Sequence, residues 1–170
     1  MIRDAQNQFS AAQALTNGSV LTSTNVIDLA LTFSTTTVDQ HGFCTTEPMM
    51  VYFNWTGTPA GTNLKIEIRS STTTNPQAAT FRTHWSTGII VAANYATAGI
   101  GSGLATTFIS LPHGPYNPSL GAAAQGTGFY LQYLGVIYDS TGDNTAGIVT
   151  CGLVKAGDMQ VLGASGYTVA

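Results

Sequence analysis

The sequence predicts an all-β fold: a single-domain, jelly-roll-like β-sandwich of about eight strands with extended N- and C-terminal segments. Three observations predict it. From about residue 25 onward, apolar and polar residues alternate with the two-residue period of a half-buried strand, and no run repeats every 3.6 residues. All six prolines (Pro48, Pro59, Pro76, Pro112, Pro115, Pro118) fall between the alternating runs, as they must if strand interiors donate ladder hydrogen bonds. Finally, only 8% of the 170 residues are charged, against about 25% in an ordinary soluble domain. Threonines (26), serines (12) and glycines (19) take over the solvent-facing and turn positions.

The clearest strand is Leu64-Lys65-Ile66-Glu67-Ile68-Arg69. Leu64, Ile66 and Ile68 share one face and Lys65, Glu67 and Arg69 the other, so the alternation names a core side and an exposed side. Further strands are expected over residues 26–33, 49–55, 80–85, 89–92, 104–111, 129–138 and 147–154. Residues 56–61 and 139–144 carry the Gly, Asn and Asp that turns demand, and the second predicts a hairpin. The stretch 112–128, with three prolines and Ala122-Ala123-Ala124, is long enough for a crossing connection. Many short strands without helices make a two-sheet sandwich, of which the jelly roll is the eight-stranded version.

The ends differ from the middle. Residues 1–19 are rich in Gln, Asn, Ala and Ser and read as an arm on a neighbour, a frayed start, or a short helix over 4–14 capped by Asp4. Residues 20–155 form the sandwich, and residues 156–170 a nearly uncharged tail or edge strand.

Five Lys+Arg against eight Asp+Glu give a formal charge of −3, the wrong sign for a phosphate-backbone footprint, so no nucleic-acid partner is expected. No run approaches the roughly 18 apolar residues of a membrane span, and residues 1–7 lack a signal-peptide core, so no membrane partner and cytoplasmic synthesis are expected. Cys44 and Cys151 lie too far apart for a disulfide framework and are expected as free, mostly buried thiols.

Chemical motifs are sparse, and no catalytic residue, metal site or cofactor is expected. His41 and Cys44 make H-x-x-C, but a structural zinc needs four ligands and Cys151, His84 and His113 are scattered. There is no G-x-S-x-G elbow for a serine nucleophile. A carboxylate pair such as Glu47 and Glu67 is not singled out by spacing. Gly99-Ile100-Gly101-Ser102-Gly103 lacks the lysine and helix of a phosphate loop. Asp139, Asp143 and Asn144 offer oxygens for calcium, and a turn explains the same residues. The aromatics Tyr52, Phe53, Trp55, Phe81, Trp85, Phe129, Tyr130, Tyr133 and Tyr138 fit a core; on an outer face Trp55, Trp85 or a tyrosine offers a platform for sugar or protein.

Several segments resemble one family. Asp4-Ala5-Gln6, Phe9-Ser10-Ala11-Ala12-Gln13-Ala14 and Ser23-Thr24-Asn25-Val26-Ile27-Asp28-Leu29 are similar to the opening of the capsid cement (decoration) proteins of tailed, particularly short-tailed, bacteriophages. Gly128-Phe129-Tyr130-Leu131-Gln132-Tyr133, Thr145-Ala146-Gly147-Ile148-Val149, Asp158-Met159-Gln160 and Gly166-Tyr167-Thr168-Val169 resemble its closing stretches. Residues 32–124 match only in strand rhythm and carry longer inserts.

The resemblance implies a non-enzymatic, jelly-roll-like protein, made in the host cytoplasm and placed on the outer capsid surface of the virion. There it assembles as a homo-dimer or homo-trimer, binds the major capsid protein and holds capsomers together, with no cofactor. Gln6, Phe9, Gln13 and Tyr167 are the candidate partner contacts, and local packing explains each equally well. The competing readings are a carbohydrate-binding or adhesin module and a minor virion or tail component.

Overall fold

A computed structural model describes residues 7–16, 18–29, 48–77, 80–112 and 130–156. Gln6, His41, Cys44, Glu47, His113, Phe129 and Tyr167 lie outside them. The described residues form β1 (Gln8–Ala14), β2 (Val20–Thr22), β3 (Ile27–Asp28), β4 (Met49–Gly57), β5 (Asn63–Ser71), β6 (Phe81–Ser86), β7 (Ile90–Val91), β8 (Thr107–Ser110), β9 (Tyr133–Thr141) and β10 (Ile148–Lys155). A 3-10 turn at Ala92–Asn94 follows β7.

The strands make two antiparallel sheets. One has the order β1-β10-β4-β8; the other has the order β2-β9-β5-β6, with β3 also on β9 and β7 also on β5. Counting β2 with β3 and β6 with β7 as two broken strands leaves eight, and consecutive strands largely alternate between sheets. Their inner faces meet in one core: Phe9, Val51, Phe53, Trp55, Val149, Cys151 and Leu153 from the first sheet, and Leu64, Ile66, Ile68, Leu134, Val136 and Tyr138 from the second. The fold is thus the all-β sandwich that the two-residue period predicts.

Register fixes which end of the sandwich each connection leaves from. Gln8 pairs with Gly152, Met49 with Lys155, Asp28 with Tyr133 and Ser71 with both Tyr133 and Phe81. Leu111 N–H donates to the Met49 carbonyl, and the Tyr130 hydroxyl donates to the Pro112 carbonyl at 2.7 Å. Residues 7, 29, 48, 112, 130 and 156 therefore gather at one end. Short connections close the other end, between β1 and β2, β4 and β5, and β9 and β10.

Three expectations are corrected. Residues 8–14 are neither an arm nor a helix but an edge strand, so the sandwich begins at Gln8 rather than at residue 20. The turn at 139–144 closes no hairpin: β9 and β10 belong to different sheets, and the turn carries the chain across. The charged face of β5 points outward but is largely covered, with Glu67 only 8% exposed. The β5–β6 connection folds back over this face. Gln77 Nε2 donates to Thr22 Oγ1 at 2.7 Å, and Pro76 is buried against Gly135, where a Cβ would stand 2.6 Å from the proline ring. Glycine at 135 is what allows this approach.

Candidate functional site

Each candidate contact that falls on described residues is committed to the protomer itself. Phe9 is completely buried in the core. Gln13 is a clamp: its Oε1 accepts from Ser10 Oγ at 2.6 Å and from Thr24 N–H at 2.9 Å, and its Nε2 donates to the Thr22 carbonyl at 2.9 Å. β1 needs such a clamp because its pairing with β10 is irregular at two places and Ala12 has φ 48.

The other sequence candidates disperse. Asp143 accepts from Thr145 N–H and Oγ1, which holds its carboxyl below the usual carboxylate range. Asp139 sits 3.5 Å from Lys65 Nζ. Asn144 is fully buried: its Oδ1 accepts from Gly61 N–H at 3.0 Å, and its Nδ2 donates to the Asn63 and Thr141 carbonyls at 3.1 and 3.3 Å. The three oxygens considered for calcium thus serve three different purposes. Among the described residues no group of three or more His, Cys, Asp or Glu converges as a metal site. Trp55 is buried, and Trp85 packs on the core with its ring 6.2 Å from Phe53. Trp55 therefore offers no open ring face for sugar stacking, and Trp85 is half-buried.

Cys151 is free and buried, as expected. The Tyr138 hydroxyl lies 3.0 Å from Ser10 Oγ and 3.3 Å from Cys151 Sγ, so the polar atoms of the inner core satisfy one another. Burial pushes the thiol up to about 12 and the phenol upward as well, which leaves both uncharged at neutral pH.

Two clusters take shape only in the fold: the first adds Phe81 of β6 to the charged face that the sequence already gives β5, and the second joins residues far apart in the chain. In the first, Glu67 joins Lys65 at 3.6 Å and pairs with Arg69, whose guanidinium lies 4.1 Å from the centre of the Phe81 ring. This fixes an aromatic ring that is 40% exposed.

In the second cluster, Ser70 Oγ is 2.7 Å from His84 Nε2 and accepts from Leu131 N–H at 2.9 Å, while the His84 ring stacks on Tyr130 at 4.1 Å. A serine and a histidine at this distance suit nucleophile activation. Ser70 is completely buried, however, and its oxygen ties β5 to the start of β9. The pair acts as a structural joint.

Burial, reinforced by Arg82, lowers the His84 pKa to about 4. Between about pH 6.5 and 4 the unfolded chain therefore binds a proton that the folded chain refuses, and stability falls as pH drops through that window. Thermal melts over this range should show His84→Gln less pH-sensitive than the wild type. Parallel slopes for the two proteins would refute the assignment. No protein-family model matches the chain, and no curated protein matches its sequence.

Proposed function

We propose that the protein is a non-enzymatic capsid cement, or decoration, protein of a tailed bacteriophage. It binds the outside of the major capsid protein shell as a homo-oligomer and stabilises the expanded capsid by bridging capsomers. The observation that carries this reading is where the family-like stretches sit. Residues 10–14 pair with 148–151, with Gln13 beside Val149 and Ala14 beside Ile148, residues 27–28 pair with 133–134, and Leu29 N–H donates to the Gln132 carbonyl. Stretches that resemble one family at opposite ends of the sequence are thus hydrogen-bonded neighbours, as parts of one inherited unit are.

Two further features support it. We read the strand order as a jelly roll, an architecture that capsid and lectin domains share. The end of the sandwich where residues 7, 29, 48, 112, 130 and 156 gather is also where 1–6, 30–47, 113–129 and 157–170 continue from it, and those stretches hold only Arg3, Asp4, Asp39, Glu47 and Asp158 as charged residues. A bridge made there relies on neutral contacts, and repeating modest contacts through an oligomer raises avidity by about 10² to 10⁴.

A bound protein stabilises the shell only by preferring the assembled, expanded form. Co-sedimentation with expanded capsids lacking the protein, beside unexpanded procapsids, is the test. Saturable, near-stoichiometric binding to expanded shells that raises their melting temperature is expected, and it persists at about 0.5 M salt because few ion pairs exist to be screened. Absence of binding to either shell would end the reading. A few copies per virion would indicate a minor or tail component instead.

A further inference from the structure

Where residues 112 and 130 meet at the end of the sandwich, a relay of side chains ties one sheet to the other. β5 and β6 slip in register between the Ile68–Trp85 and Arg69–Thr83 pairs, which makes His84 the extra residue of a bulge. Bulges re-aim side chains, and this one brings the His84 ring onto Tyr130 and its Nε2 to Ser70 Oγ at 2.7 Å. Ser70 Oγ also accepts from Leu131 N–H, in the chain entering β9. The Tyr130 hydroxyl then reaches the carbonyl of Pro112, just beyond β8 of the other sheet.

The relay is complete in only one protonation state of His84. Ser70 is buried and its oxygen already accepts from Leu131, so its own hydrogen needs an acceptor, and among the described residues that acceptor is His84 Nε2. The imidazole is therefore neutral, with its proton on Nδ1. A proton added at Nε2 sets two donors against each other and strands the Ser70 hydroxyl hydrogen. The described charged and titratable groups nearby give the cation little support. Arg82, on the same strand and opposite Ser70, repels it. On β5, Glu67 and Arg69 take the outward face and pair with each other. Tyr130 is a neutral phenol, and Asp28, beside the start of β9, is met by Gln132 Nε2 at 3.4 Å.

We propose that His84 is an acid-operated release: uptake of a proton at Nε2 frees Tyr130 and Leu131 from β5 and β6 while the β4–β10 and β5–β9 ladders stay paired. The pH range follows from linkage. In the closed joint His84 holds a pKa of about 4, and in the open joint it regains 6.5, so opening is favoured as pH falls through that interval and gains nothing further below it. The release acts within one protomer and does not depend on shell binding.

Amide hydrogen exchange of the full chain, followed by NMR across pH and at low urea concentrations, tests it. The protection factor of the Leu131 amide, corrected for the intrinsic rate at each pH, is expected to fall roughly 30-fold between about pH 7.5 and about pH 5. That loss should depend little on urea, which marks a local opening, since little surface is exposed. His84→Gln is expected to flatten the pH dependence. Leu131 protection that ignores pH, that keeps its wild-type pH dependence in His84→Gln, or that falls with urea as steeply as the β4–β10 amides would each overturn the proposal. Should His84→Gln fold poorly, the His84 ring resonances of the wild type decide. A ring that titrates near its ordinary 6.5 while Leu131 stays protected refutes the release. A ring still neutral at about pH 5 while Leu131 loses protection supports it.

Discussion

Phe9→Ala is expected to destabilise the protein by about 3–5 kcal/mol, the usual cost of removing a fully buried aromatic ring. Phe9 belongs to β1, an edge strand whose ladder to β10 is irregular, so backbone bonding alone holds it weakly. The ring reaches a core shared by both sheets, and the Phe9 carbonyl accepts from Asn25 N–H at 2.8 Å, which ties β1 to the segment before β3. Urea unfolding should show a lower midpoint with an unchanged slope. A loss below about 1 kcal/mol would mean that the ring does not pack as core, and would restore Phe9 as a partner contact.

The second large effect is expected at Asn144. Truncation to alanine leaves Gly61 N–H and the Asn63 carbonyl without their buried partner, and the Thr141 carbonyl keeps only Thr62 N–H. At about 1–3 kcal/mol per stranded group, the loss amounts to roughly 2–4 kcal/mol. Filling the space does not repair it, because the site is built for an amide: Gly61 is so close that a Cβ there would lie 2.3 Å from Nδ2. Asn144→Asp is a sharper probe, since it keeps an acceptor for Gly61 but turns a carboxylate oxygen toward two carbonyls. Calorimetric melting of both variants checks the expectation, and wild-type stability in Asn144→Asp would rule out the donating role of Nδ2.

Strands with regular alternation and a core on one side were legible in the sequence. Leu64, Ile66 and Ile68 point inward along β5, and the proline positions bound the strands correctly. β1 was hidden because its ladder irregularities and the positive φ of Ala12 break the two-residue period. The residues at 139–144 suit a hairpin and a sheet-to-sheet crossing equally, because turn chemistry fixes backbone angles and not the destination of the next strand. Exposure of the β5 charges depended on a loop returning over them, and periodicity contains no information about a loop's path. The same limit hid the Ser70, His84 and Tyr130 cluster, whose members meet only once β5, β6 and the start of β9 are assembled.

The gathering of residues 7 and 156 at one end has a mechanical consequence. β1 and β10 are antiparallel neighbours, with Gln8 beside Gly152 at that end and Ala14 beside Ile148 at the other. Tension applied through these two positions pulls across the ladder, loading its hydrogen bonds one after another instead of shearing them together. Under such tension β1 peels away first, from Gln8 inward, and the remaining strands stay paired until Phe9 has left the core.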